Sequence, residues 1–316
     1  MIRTCLLGLL VVLMSSSFAP GSSALAAREI EVGFGIQQTS QDDPDNAAYK
    51  VWYEANAGND LPKSYELAKT YLQEFPKGKY AVYLNKWVPN ARGKLFNLAY
   101  TSKNSEALIA LGNEALAADP ENINYLLPLA QHLNINEVNA RPPNLTHATE
   151  AEGYTRRAVK LLESGKKPVE AAGWKLNETL AYFYQVLGGI ELRNNNLDSA
   201  VEYYEKAGKI DPANAFSFFS SGRIYQDRYL KAVEKYQAIP SEERNAATPR
   251  AQVEATLKEV HEAADATLDR WIKFLKLTAS NNTYGDTRSR VQETVAELYK
   301  YRHPDTPDAY LELIKP

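Results

Sequence analysis

Proline closes amphipathic stretches at Pro76, Pro120 and Pro212, and the intervals between them are 44 and 92 residues, the second close to two of the first. Proline lacks the backbone N–H that continues a helix and its ring clashes with the preceding turn, so each of these positions is a stop. Further turn signals stand at Gly58-Asn59-Asp60, Pro76-Lys77-Gly78, Ser102-Lys103-Asn104, Asp119-Pro120, Asn194-Asn195-Asn196 and Asp211-Pro212. From Ala47 onward the segments between them carry apolar residues at helical spacing, and no run alternates apolar and polar residues as a strand would. A chain cut this regularly into short amphipathic helices cannot bury its apolar faces helix by helix. It has to stack them as pairs.

The clearest pair is AYFYQVLGGIELRNNNLDSAVEYYEKAGKIDPAN, Ala181 to Asn214. Tyr184 opens its first helix, Leu187 and Gly188 follow, and Ala200, Tyr204, Ala207 and Pro212 fall along the second helix and its exit. These seven anchors, in this order and at these spacings, resemble the tetratricopeptide repeat (TPR). Glu191 departs from the pattern, standing where that repeat has an aromatic. The resemblance implies that Gly188 and Ala200 face one another, so that two helices lie close, while Tyr184, Leu187 and Tyr204 fill the flanks. It also implies an all-α fold, a right-handed α-solenoid of about five TPR-like helix pairs.

Weaker copies flank this unit. Tyr49–Pro76 resembles one pair, and Ser105–Asn122 matches a second helix preceded by one carrying Leu95-Phe96. After Pro212, Gly222 and Tyr225 repeat the first-helix spacing, with a shortened turn expected before a second helix at Leu230–Ala238. Ile123–Leu133 and His147–Leu162 form a middle pair, joined by the long loop Asn134–Thr146 with its two prolines. Thr248–Leu277 reads as one long helix with an apolar seam of Val253, Leu257, Val260, Ala264, Leu268, Trp271 and Leu275. Steps of four and three give a narrow stripe, suited to a capping helix or, alternatively, to a self-associating coiled coil. Arg288–Lys300 adds a short helix, and the tail from Tyr301 to Pro316 one turn. The organisation expected is 1–26 signal peptide, 27–46 flexible leader, 47–240 TPR-like solenoid, and 241–316 C-terminal helical cap and tail.

The leading segment reads as an export signal. Arg3 precedes the apolar run Leu6–Met14, then come small residues and Ala24-Leu25-Ala26, a cleavage-like site. An uncleaved anchor is the competing reading. Cys5, the one cysteine of the chain, lies inside this segment. A chain cut near Ala26 has no disulfide, no thiol catalyst and no cysteine-bound zinc. Such a chain keeps 35 basic and 39 acidic residues, a net charge of about −4, with no basic patch of the kind nucleic acid needs. No later stretch is long and apolar enough to span a bilayer. The location expected is the periplasm or the cell exterior.

Catalytic motifs are missing from the sequence. The four histidines stand apart, and His261-Glu262 with Asp265 lacks the second His that a helical zinc site requires. Carboxylates are spread along helices, and no cofactor is expected. What remains is a surface. In TPR proteins the first helices of successive pairs line a groove that takes peptides, and the resemblance implies this role for Tyr182, Gln185, Phe216, Phe219, Arg223 and Gln226. In the earlier pairs it implies the same for Tyr49, Tyr53, Asn56 and Asn97. The expected function is a non-enzymatic scaffold that binds a protein or peptide. A small-solute or glycan binder using the tyrosine-rich hollow is the alternative, and a hydrolase built from scattered acids and His a remoter one.

Overall fold

The computed structural model describes residues 43–169, 173–280 and 282–316. The signal peptide and most of the leader lie outside them. The described residues are helical, without a strand, and form two compact units. The first holds 43–161 with 166–169 and 173. The second holds 162–165 with 174–316.

In the first unit, α1 (Pro44–Ala57) pairs with α2 (Leu61–Glu74), and α3 (Ala81–Thr101) pairs with α4 (Ser105–Ala118). Then come α5 (Ile123–Leu133), a π-helical turn (Asn134–Val138), and α6, which spans Ala148–Glu163. In the second unit, α7 (Leu176–Arg193) pairs with α8 (Leu197–Ile210), and α9 (Ala215–Gln237) packs on α8. The one-turn α10 (Ser241–Arg244) leads to α11 (Ala251–Leu277), followed by α12 (Gly285–Arg302) and the one-turn α13 (Tyr310–Leu313).

Three hairpin turns share one geometry. Asn59, Lys103 and Asn195 each take φ near +60°, at 61°, 57° and 60°. The next residue sends its N–H back to a carbonyl five positions earlier, from Asp60 to Ala55, Asn104 to Ala99 and Asn196 to Glu191. That closes the first helix in the manner of a Schellman cap. Asp60 and Asn104 then accept the N–H of Lys63 and Ala107 at 3.1 Å each, starting the second helix. The exits match as well. Asp119 and Asp211 accept from the N–H two residues on, a proline follows each, and Asn122 and Asn214 cap the next helix. Glu191 is buried here, and its carboxylate takes the Asn196 amide at 2.8 Å, which accounts for an acid where the repeat has a ring.

Packing follows the anchors with one change of partner. Tyr184, Leu187, Ala200, Tyr204 and Ala207 are buried, and Pro212 sits exposed in the exit turn. A Cβ built on Gly188 would lie 2.9 Å from the ring of Tyr204, so the residue that needs the bare backbone is Tyr204 rather than Ala200. Ala200 joins Val201, Tyr204 and Ile224 in the core beneath α9.

The separate helix expected at Leu230–Ala238 does not form. Tyr225–Tyr229 holds neither Gly nor Pro, nothing stops the helix, and α9 runs unbroken for 23 residues. Its partner is the long helix. A Cβ on Gly222 would fall 2.3 Å from Trp271, repeating on α9 and α11 the relation of Gly188 to Tyr204. The seam of α11 is buried at every expected position but Leu257, and Thr267 and Phe274 widen it. The wider stripe has two neighbours, α9 and α12, which occupy the face that a coiled coil would use. The tail closes this core with Tyr310 and Ile314.

Candidate functional site

Two surfaces stand out, one in each unit. In the first unit, positions 49, 52, 53 and 56 lie one above another on α1, at helical spacing. They meet Tyr80, Tyr83 and Trp87 at the start of α3. Tyr49 stacks on Tyr80 at 3.6 Å with the planes 10° apart. Trp52, 1% exposed, takes Tyr83 edge-on at 5.7 Å and Trp87 edge-on at 5.3 Å. Beside buried Trp52 and half-buried Tyr49, Tyr80 and Trp87, Tyr53 and Tyr83 keep 51% and 40% of their surface in solvent. Burial, together with Tyr83, Tyr80 and Tyr53 around it, pushes the Tyr49 hydroxyl up to about 12, so it stays a hydrogen-bond donor at any physiological pH. This is an aromatic face on the first helices of two successive pairs. Asn56 lies half-buried at its end.

Asn97 is exposed on α3 but stands fourteen residues beyond Tyr83, about 21 Å along the helix at 1.5 Å per residue, and does not belong to the face.

In the second unit the expected groove residues divide. Arg223 is exposed, and with Leu192, Ser220, Ile224 and Asp227 it lines a shallow hollow between α7 and α9. Gln226 and Gln185 are half-buried. Phe216 is 40% exposed and sits edge-on to Tyr204 at 6.3 Å. Tyr182 is half-buried, 5.1 Å from the ring of Phe183. Phe219 is a packing residue and not a groove residue: its ring lies 5.3 Å from Phe274, and its carbonyl accepts the Trp271 indole N–H at 3.3 Å. The sequence treats α9 as the inner helix of a pair with a partner at 230–238. With α11 as the partner, the inward face of α9 turns toward Phe274.

A larger cleft, of about 560 Å³, opens on the other side of α9 between the second helices α8 and α11. Its walls are separated by some sixty positions and its charged residues form no motif, so it leaves no mark in the sequence.

Two polar constellations invite a catalytic reading. Ser105 Oγ lies 3.0 Å from His132 Nε2. Asn136 offers its amide N–H to His132 Nδ1 at 3.3 Å and to the His132 carbonyl at 3.1 Å. If the Asn136 amide donates to Nδ1, the ring proton sits on Nε2, directed at the serine. A histidine in that tautomer cannot take the hydroxyl proton, as the base of a serine hydrolase must. The group instead ties α4 to α5, just as Asn134 ties α5 to α6 through Thr155 at 2.9 Å and Glu137 holds His147 at 2.8 Å. The loop expected at 134–146 is thus anchored at its start by buried Asn134 and Glu137. The second constellation, His261 with Asp265, links α11 to α12: His261 Nε2 meets the Tyr301 hydroxyl at 3.1 Å, and Arg302 grips Asp265 at 2.7 and 2.9 Å. That grip holds the Asp265 carboxyl below its ordinary range. Among the described residues no group of three His, Cys, Asp or Glu is placed to hold a metal.

His132 gives a pH prediction. Burial lowers its pKa, with Glu137 opposing and Lys103 adding to the depression. The folded first unit therefore holds the ring neutral, whereas the unfolded chain takes a proton near pH 6.5. Stability from this group is complete above about pH 6.5 and is lost as pH falls from there toward the folded value. Urea midpoints at pH 8 and pH 5 should differ more for the natural protein than for His132→Gln. Equal differences would remove His132 from the pH dependence.

One turn used three times, one exit used twice, and a bare glycine set twice against a partner ring are the marks of a repeated hairpin. The fold is TPR-like. No protein-family model matches the chain, and no curated protein matches it in sequence. Solved structures do. A TPR repeats protein from Bacteroides fragilis aligns with 79% of this chain and 98% of its own, at 12% identity and a TM-score of 0.42. The human IFIT1 dimer with m7Gppp-AAAA aligns over 87% and 69%, at 13% identity and 0.31. Yeast Tom70 aligns over 86% and 76%, at 13% identity and 0.21.

Proposed function

We propose that this chain is an exported, non-enzymatic scaffold that binds a polypeptide on the aromatic face of α1 and α3. The observation that carries the reading is the pair of rings Tyr53 and Tyr83, which keep 51% and 40% of their surface in solvent beside Trp52, Tyr49 and Tyr80. A half-exposed ring that carries a hydroxyl at its tip suits a partner that offers both side chains and backbone carbonyls. Asn56 beside it adds an amide able to pair with an extended backbone. Export is supported by the leading segment, Arg3 followed by Leu6–Met14 and Ala24-Leu25-Ala26. Among the described residues no helix is long and apolar enough to cross a membrane.

The test is capture from the source's own envelope extract by the natural protein and by a Tyr53→Ala, Tyr83→Ala variant. Both side chains are exposed, so the variant should keep its circular dichroism and melting point. A protein retained by the natural chain should be lost from the variant, at a cost of about 2 kcal/mol for each ring if both are hot spots. A partner released by added oligosaccharide, with no protein captured, would instead support the glycan-binding alternative. Equal capture by both chains would move the site off this face.

A further inference from the structure

The cleft between α8 and α11 is a separate surface from the aromatic face, and it has chemistry of its own. Its floor is apolar: the ring edge of Tyr204, Phe218, and Leu277, which keeps 38% of its surface exposed. Three lysines edge it, Lys209 from the last turn of α8 and Lys273 and Lys276 from α11. The remaining cation, Arg270, is held by Glu205 across the cleft and lies 3.4 Å from Asp269. Asp269 also takes Lys273 at 3.1 Å. Four cations therefore share two carboxylates. Among the described residues Lys209 and Lys276 have no ion pair, and both are exposed at the mouth. The last turn of a helix favours a lysine, which explains how each is tolerated. It does not explain why two such lysines and a third converge around one apolar floor.

The first unit shows what a structural use of the same gap looks like. There the second helices α2 and α4 are joined by Glu114, which takes Lys69 at 2.7 Å and the Tyr65 hydroxyl. In the second unit Arg270 and Glu205 bridge the helices, and a cleft remains beside them.

We propose that this cleft binds an acidic polypeptide segment that places one bulky apolar side chain between Tyr204, Phe218 and Leu277. The excess of cations sets the sign of the ligand, and the floor sets the need for an apolar anchor. A cleft of about 560 Å³, open to solvent along its mouth, has room for the side chains of a short peptide segment. Nucleic acid has a similar charge but fits poorly. Binding phosphates calls for concentrated cations without nearby carboxylates, and binding bases calls for a free ring face. Here Lys273 stands over the ring of Phe218, Gly208 packs against the same ring, and Tyr204 is 3% exposed.

The experiment is fluorescence anisotropy on the full chain with three labelled probes. One is a peptide of about eight residues, Asp and Glu flanking a central Phe-Leu. The second has Ser-Ser in place of Phe-Leu, and the third is a single-stranded RNA of the same length. The acidic Phe-Leu peptide should bind, and should weaken on raising salt from 50 to 300 mM. Lys209→Glu with Lys276→Glu should weaken it about tenfold, since two rim charges are reversed while the core is untouched. The Ser-Ser peptide should bind several-fold more weakly, and the Tyr53→Ala, Tyr83→Ala variant should bind like the natural chain. Equal affinity for both peptides, tighter binding of the RNA, or no change in the lysine variant would each overturn the proposal. Loss of binding in the tyrosine variant would place the peptide on the aromatic face instead.

Discussion

Trp271→Ala is expected to cost the second unit about 3–5 kcal/mol, the largest single effect of any side chain there. Trp271 is 3% exposed and sits where α9 and α11 come closest, over the bare backbone of Gly222. The helices are held at that separation by the thickness of one indole. Alanine leaves a slot that neither backbone can close without dragging Leu268, Phe274 and Leu275 from their own contacts. It also deprives the Phe219 carbonyl of the indole N–H. Hydrogen exchange is the better measure, because two units need not unfold as one and a single midpoint would mix them. Protection should fall across α9, α11 and α12 and persist in α1–α4. A loss under about 1 kcal/mol would mean that the indole fills no space the core needs.

Gly188→Leu is the second large effect, in the opposite sense of packing. The new Cβ alone would stand 2.9 Å from Cε1 of Tyr204, which is itself buried and cannot swing into solvent. Overpacking of this kind costs about 1–3 kcal/mol and sometimes more. The gain in helix propensity on replacing glycine, under about 1 kcal/mol, does not offset it. The sharper readout is the pair. Tyr204→Ala alone leaves a hole, and with Gly188→Leu the leucine can grow into that hole. The double variant should therefore be less damaged than the sum of the singles by about 1 kcal/mol or more. Strict additivity would show that Gly188 and Tyr204 do not share a contact.

Much of this architecture is legible in the residues because it is decided locally. Gly58-Asn59-Asp60, Ser102-Lys103-Asn104 and Asn194-Asn195-Asn196 can be picked out as turns from composition alone, and each folds as one. Tyr184 through Pro212 can be picked out because the spacing of anchors along two helices is fixed by helical pitch. What the residues hide is partnership. Gly222 signals a close approach, but nothing in its neighbourhood says that the ring it meets is 49 positions away on α11. A nearer partner at Leu230–Ala238 therefore looks adequate, and Phe219 looks like a free aromatic when it is half-buried against the core. The aromatic face is half visible in the sequence, through Tyr49 and Tyr53, while its other half, Tyr83 and Trp87, carries no repeat anchor to mark it. The cleft of Lys209, Lys273 and Lys276 is invisible in the sequence, since each lysine taken alone is an ordinary exposed helix cation.

Asp119-Pro120-Glu121-Asn122 and Asp211-Pro212-Ala213-Asn214 leave their helices along the same path, with the same side-chain acceptor and an asparagine capping the helix that follows, two residues on from Asn122 and three from Asn214. Two joints that bend the backbone alike are natural splice points. A segment excised at one and ligated at the other would meet chain already shaped to receive it, so that such an array can be lengthened or shortened by whole modules without redesigning what lies on either side of the seam.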